Sequence, residues 1–240
     1  MTLLADFGNT RVKVSLWNGV SLDGIYSGPV VIEDLKDAVG GIRVEGGMWC
    51  AVHPLPPNLV QWLGTLGLVP LTHQTRIPLI NSYSTPETLG MDRLAAAVGA
   101  WSLNPGHDML VIDAGTALTV DFISADGVYR GGNIAPGIEL RFKALHEHTA
   151  VLPQVSPKGL VLDLGQDTVS AIRSGVLNGI RHEVRGYIDE FARLYPSLLV
   201  FLTGGDAEFF DIKGKSSIFA VPDLVLKGLA RIFDYNEKGF

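Results

Sequence analysis

Three carboxylates, Asp6, Asp92 and Asp113, stand in settings that suit phosphate chemistry. Asp6 follows the apolar run Leu3-Leu4-Ala5 and opens Asp6-Phe7-Gly8-Asn9-Thr10. A carboxylate in a strand-end glycine turn lies beside backbone amides that can point into one small volume, which suits a Mg²⁺-bound polyphosphate. Asn9 and Thr10 can donate hydrogen bonds to phosphate oxygens, and Lys13 on the following strand has the reach to meet a β- or γ-phosphate. The pattern returns about half a chain later as Asp113-Ala114-Gly115-Thr116, after Val111-Ile112. There Asp113 could hold a cation and Thr116 a phosphate, facing the first loop across a cleft between two halves of the chain. One such turn alone reads equally well as an ordinary hairpin; two, symmetrically placed, favour a nucleotide.

Asp92 lies in Leu89-Gly90-Met91-Asp92-Arg93, which opens an alanine-rich helix expected over Met91 to Trp101. A helix's first turn favours the ionised carboxylate, and an ionised, positioned Asp can accept the proton of an attacking hydroxyl in phosphoryl transfer. Arg93 offers a fork for a carboxylate or phosphate. Acidic residues also occupy first turns with no further role. Two glycine loops complete the set. Thr203-Gly204-Gly205-Asp206 ends a short apolar strand, Leu198 to Leu202, where paired glycines let a ligand approach the backbone. Gly131-Gly132-Asn133-Ile134-Ala135-Pro136-Gly137 is poor in side chains that would block one. Each also reads as a tight connection.

The elements that must position these residues form a repeat. Each Asp-x-Gly unit follows an apolar run and precedes an alternating one, Val12 to Trp17 and Leu118 to Ile123, and each second strand enters a turn, at Asn18-Gly19 and Asp126-Gly127. Further helices are expected over Asp167 to Tyr195 and Pro222 to Tyr235. Hairpins interleaved with helices imply a mixed sheet flanked by helices, made twice. The turn Asn104-Pro105-Gly106 places the boundary, giving domains 1–104 and 105–240, with the helix over 222–235 able to pack back on the first. The long helix starts at Asp167 as N-cap and carries Val169, Ile172, Val176, Ile180, Val184, Ile188 and Phe191 as a core stripe. Its interior glycines, Gly175 and Gly179, each cost about 1 kcal/mol relative to alanine, so a close neighbour is expected there, from this chain or a second copy.

The composition, 47% apolar and 18% charged over 240 residues, excludes disorder as the main reading. A net charge of −6 without a clustered basic face argues against nucleic acid. The one cysteine, Cys50, cannot close an internal disulfide and is expected in the core, which points to a reducing, cytoplasmic setting. The first residues do not read as a signal peptide, and the apolar runs are too short to span a bilayer, so no membrane partner is expected. Gly214-Lys215-Ser216 resembles the end of a P-loop, but Phe209 stands where the leading glycine belongs. His146-Glu147-His148 is two apart on a helix and shares no face for a metal. The residues alone thus read as those of an enzyme moving the γ-phosphate of ATP to a hydroxyl of a small metabolite.

In order, Asp6-x-Gly8-Asn9-Thr10-x-x-Lys13, Gly90-x-Asp92-Arg93, Asp113-x-Gly115-Thr116-Ala117, Gly131-Gly132-x-Ile134-x-Pro136-Gly137 and Thr203-Gly204-Gly205-Asp206 resemble the type III pantothenate kinases of the actin/Hsp70/sugar-kinase superfamily. The resemblance covers about Asp6 to Asp206. It implies an α/β fold of two tandem ribonuclease-H-like domains with a nucleotide cleft between them. It also implies ATP-dependent phosphorylation of pantothenate to 4′-phosphopantothenate, the first step of coenzyme A synthesis. By the same resemblance Asp92 is the general base. Asp6, Gly8, Asn9, Thr10, Lys13, Gly115, Thr116, Gly204 and Gly205 meet the nucleotide, with Asp6 also serving Mg²⁺. Asp113 holds a monovalent cation, K⁺ or NH₄⁺. Tyr83, Gly90, Met91, Asp92 and Arg93 contact pantothenate, joined by Thr168 near a homodimer interface. Two other readings share the scaffold: another small-molecule kinase of the superfamily, and a nucleotide-binding regulatory protein without turnover. The intact Asp92 argues against the second.

Overall fold

The computed structural model describes residues 1–210 and 217–237, so the P-loop-like Gly214-Lys215-Ser216 lies outside the described residues. The chain divides into two compact units: the first comprises Met1–His107, Ile123–Gly131 and the C-terminal stretch from Asp223, the second Asp108–Phe122 and Gly132–Pro222.

The first sheet contains β1 (Thr2–Phe7), β2 (Val12–Trp17), β3 (Leu22–Gly28), β4 (Gly47–Ala51) and β5 (Leu68–Pro70), in the order β3-β2-β1-β4-β5. β1 runs antiparallel to β2 and parallel to β4. Strand alternation sends Leu3, Ala5 and Phe7 to one face, where they meet Leu35 and Val39 of α1 (Ile32–Val39) and Leu59 and Leu63 of α2 (Pro57–Thr65). Leu4 and Asp6 therefore share the opposite face. That side is covered by α6 (Leu224–Glu237), which packs on β1 and β4 and more extensively on α3 (Met91–Leu103). The α3–α6 crossing is close because glycines line it: a Cβ at Gly99 would sit 2.2 Å from the Leu224 carbonyl oxygen, and one at Gly228 1.7 Å from that of Ala95. The hairpin turn expected at Asn18-Gly19 is present, with Gly19 at a φ of 94°.

The second sheet adds β6 (Ile80–Asn81), β7 (Met109–Ala114), β8 (Ala117–Ser124), β9 (Val128–Pro136), β10 (Leu199–Thr203) and β11 (Ile218–Ala220), in the order β11-β10-β7-β8-β9-β6. Five of these strands, β9-β8-β7-β10-β11, repeat the order β3-β2-β1-β4-β5, and β10 lies parallel to β7 as β4 does to β1. The duplication read from the two Asp-x-Gly units is thus a duplication of topology. Leu110, Ile112 and Ala114 of β7 bury against α4 (Ile138–Glu147) and α5 (Thr168–Leu194).

α5 begins as expected, with Asp167 as N-cap in a reciprocal capping box with Ser170. The stripe from Ile172 to Ile188 is buried; Val169, in the first turn, is 40% exposed. Beyond the helix's own backbone, no atom of the described residues lies within 4 Å of a Cβ built at Gly175, Gly179 or Gly186, so the close neighbour expected at the first two is not found among the described residues.

Candidate functional site

In the first unit, β1 ends at Phe7 and its loop closes with the Gly8 amide donating to the Arg11 carbonyl at 2.9 Å. A Cβ at Gly8 would stand 3.1 Å from that same oxygen, so glycine keeps the loop tight. Asn9 and Thr10 are exposed at its tip. Lys13, the register partner of Asp6 on β2, places its ammonium 4.0 Å from the Asp223 carboxylate.

Asp6 is half-buried, and its carboxyl is pushed from the ordinary 3.8 up to about 6. Burial is the largest cause, and the negative charge of Asp92 is the second; a hydrogen bond from Cys50 and the charge of Lys13 pull the other way. Cys50 is the register partner of Asp6 on the other side, in β4, and its thiol donates to Asp6 Oδ1 at 3.5 Å. Burial and the two carboxylates drive the thiol's own pKa well above its ordinary value. Cys50 is therefore a core residue, as expected, but also a neighbour of the most perturbed acid of the unit.

Asp92 occupies the first turn of α3, where Gly90 is the N-cap. Its Oδ1 accepts the Arg93 amide at 2.8 Å, which fixes the carboxylate at the helix start. A Cβ at Gly90 would fall 2.5 Å from that oxygen, so the glycine leaves room for the carboxylate. Arg93 is buried, and its guanidinium stacks over Tyr83 at 5.8 Å from the ring centre. Tyr83 in turn lies against Tyr129, and Gly131, at a φ of 106°, leaves 3.5 Å between a built Cβ and the Tyr83 ring. The segment expected to recognise the substrate, Tyr83 with Gly90, Met91, Asp92 and Arg93, is thus brought together around one arginine, with Met91 half-buried at the first helical position.

In the second unit, three sequence-distant motifs meet. The Gly115 amide closes its loop by donating to the Ala117 carbonyl at 3.0 Å. Gly137 comes against it: its amide donates to the Thr116 carbonyl at 3.0 Å, and a Cβ there would lie 2.1 Å from the Gly115 oxygen. Gly204, at a φ of 94°, arrives from β10, where a Cβ would lie 2.3 Å from the Ala114 oxygen and 2.4 Å from Asp113 Oδ1. The Asp206 amide donates to that Ala114 oxygen at 2.9 Å. Asp113, Gly115, Thr116, Gly137, Gly204 and Asp206 therefore form one backbone-dense cluster, with Thr116 and Gly205 exposed. Burial first and Glu139 second raise the pKa of Asp206 above the carboxylate norm. Thr168 is exposed at the first position of α5.

Several participants have no sequence signature. Cys50 and Asp6 are linked only by strand register; Glu139 reaches Asp206, and Asp223 reaches Lys13, only through tertiary folding. Among the described residues no group of three or more His, Cys, Asp or Glu is placed to cage a metal, and no helix is long and apolar enough to cross a membrane. The His146 ring bonds to the Leu152 carbonyl oxygen at 2.9 Å.

A sheet-and-helix unit made twice, each with an Asp-x-Gly loop after its first long strand, defines the actin/Hsp70/sugar-kinase fold. Two solved structures share that fold with this chain. One, from Campylobacter jejuni and described as a Baf family transcriptional activator, superposes with a TM-score of 0.63 at 22% identity, covering 98% of this chain and 99% of that one. The other, described as a 2-dehydro-3-deoxygalactonokinase from Sinorhizobium meliloti, gives 0.56 at 13% identity over 98% and 99%. Within that class, the family model for type III pantothenate kinase matches residues 58–190. The type III pantothenate kinase of Phocaeicola vulgatus is 48% identical over 241 residues, covering 99% of this chain and all of that protein. The chain belongs to the type III pantothenate kinase family.

Proposed function

We propose that this protein transfers the γ-phosphoryl group of ATP to pantothenate, giving 4′-phosphopantothenate for coenzyme A synthesis. The observation that carries the reading is the Asp6–Asp92 pair: a carboxylate at a strand end is destabilised by burial and, next, by a second carboxylate at a helix start whose neighbour Arg93 stacks over Tyr83. Like charges held together in a crowded site need a cation or a proton, and the site gains one when a metal–nucleotide complex binds. Asp92 then accepts the proton of the pantothenate hydroxyl as it attacks the γ-phosphorus. Arg93 and Tyr83, with Gly90 and Met91, bind and orient the pantothenate; Thr168 is the substrate contact expected near a dimer interface. In the first unit, Asp6, Gly8, Asn9, Thr10 and Lys13 are the phosphate contacts of this reading; in the second, Gly115, Thr116, Gly204 and Gly205 are its nucleotide contacts.

The donor set suits Mg²⁺: one or two carboxylates with no all-protein cage is how that ion is usually held, its other positions going to phosphate oxygens and water. When bound it neutralises charge on the transferring phosphoryl oxygens. Asp113 offers a carboxylate beside the close-packed Ala114 carbonyl, a hard-oxygen setting that suits K⁺ or NH₄⁺. A homodimer is supported by α5, whose open Gly175, Gly179 and Gly186 share an outward face with exposed Ala171 and His182. Use of cytosolic ATP and a lone free thiol support a cytoplasmic setting. Phosphorus NMR of a reaction containing protein, ATP, Mg²⁺, K⁺ and pantothenate tests the proposal. A new phosphomonoester on the pantothenate hydroxyl is expected; ADP accompanied only by inorganic phosphate would reject it.

A further inference from the structure

The Gly131–Gly137 segment, read from sequence as a loop, is the second half of β9 up to Pro136, with Gly137 joining it to α4 as that helix's N-cap, and Gly137 sits within hydrogen-bond distance of the Thr116 carbonyl without room for a single methyl group. Side chains of α4 and α5 add to the hold of strand and helix at this junction. Arg141, one turn into α4, donates from Nε to the Pro136 carbonyl at 2.8 Å, and its terminal Nη2 is ion-paired with Glu183 of α5. Both side chains are mostly buried, at 22% and 27% exposure, so the pair is shielded more than a surface salt bridge would be. One turn further along α5, the Tyr187 hydroxyl accepts a hydrogen bond from Asn133 Nδ2 at 3.2 Å. Positions 183 and 187 lie on the same helix face, so α5 meets the end of β9 directly at Asn133 and, through Arg141, at Pro136.

We propose that Arg141 and Glu183 are positioning residues for phosphoryl transfer: Glu183 orients the guanidinium, whose Nε fixes Pro136 and so seats Gly137 against the Gly115–Thr116 loop. The inference rests on the reading of Thr116 as a nucleotide contact. A salt bridge that merely tied α4 to α5 would not need the Nε bond, which goes to the end of β9 and not to the partner helix. Arginine is required because its planar fork serves the carboxylate and the carbonyl together, whereas a lysine ammonium on its flexible stem cannot reproduce both bonds in that plane.

Arg141→Lys keeps the positive charge opposite Glu183 and removes the fork; Glu183→Gln keeps side-chain volume and removes the charge, and carries the test if the lysine variant fails to fold. Each is compared with wild type by steady-state kinetics at saturating second substrate and by hydrogen exchange at the Gly137 amide without substrates. For Arg141→Lys, kcat/KM for ATP is expected to fall about tenfold while KM for pantothenate stays within about twofold, with Glu183→Gln following the same pattern less strongly. Gly137 exchange is expected to quicken relative to the α5 core amides. Unchanged Gly137 exchange, or a loss that falls equally on both substrates, overturns the proposal. The exchange readout needs no turnover, so a wild-type protein inactive on pantothenate would reject the functional reading while leaving the clamp to be judged by the amide.

Discussion

At the scale of single residues, the proposed chemistry concentrates in the two carboxylates of the first unit, and they differ in what they can be asked to do. Asp92 is held at a helix start by the Arg93 amide. Asp92→Asn keeps that hydrogen bond's acceptor but cannot take a proton, so kcat is expected to drop by about 10² or more with ATP affinity retained, read by single-turnover kinetics and nucleotide binding. Unchanged kcat would place the base elsewhere. Asp6 carries its pKa of about 6 at a cost. A folded-state value raised above the unfolded one means the folded protein holds the proton more tightly, so stability is fullest below about pH 4 and is lost as pH climbs through 6. In metal-free buffer, Asp6→Asn is therefore expected to be more stable than wild type by about 1–3 kcal/mol at pH 8, with the advantage vanishing near pH 4, measured by urea unfolding. An advantage independent of pH would show that Asp6 is not strained by its ionisation. Asp6 and Asp92 were legible in the sequence because turn and helix-start patterns are local. Cys50 was legible only as a core residue; its bond to Asp6 depends on the parallel β1–β4 register, which no local pattern encodes.

At the scale of elements, the same residue type has opposite consequences on two helices. Gly228 of α6 faces the Ala95 carbonyl with no space for a methyl group, whereas Gly179 of α5 faces none of the described residues. Gly228→Ala is expected to destabilise by about 3 kcal/mol despite alanine's better helix propensity, seen as a lowered Tm, because the α3–α6 crossing must open. Gly179→Leu is expected to leave the Tm of dilute protein nearly unaltered but to shift micromolar samples from dimer to monomer in sedimentation, since the bulky side chain obstructs a second copy's helix. A persistent dimer would move the interface away from α5. The three longest helices were readable from spacing and capping: 91–101, 167–195 and 222–235 were expected, and α3, α5 and α6 span 91–103, 168–194 and 224–237. The partners of those helices were not readable, since Gly99 and Gly228 become meaningful only once the helices cross.

At the scale of the whole molecule, the duplicated strand order explains why one sequence pattern occurs twice: in each sheet the first long strand carries an aspartate near its end, followed two residues later by the glycine of the next loop. The halves then diverged in what surrounds that aspartate. Around Asp6 stand Cys50, Lys13 and Asp92, a set of titratable groups; around Asp113 stand Gly204, Ala114 and the Asp206 amide, mostly backbone. This difference was hidden in the sequence, where the two motifs look alike, because it is made by residues that strand order and helix packing bring in from far along the chain. Family membership selects pantothenate from the alcohols that such a site could serve. The most direct test is ADP release by purified protein with ATP, Mg²⁺ and K⁺, run with pantothenate and in parallel with glycerol, acetate and hexoses. Release that depends on pantothenate and on none of the others is the expected result; release unaffected by pantothenate, or driven by one of the alternatives in its place, would contradict the account.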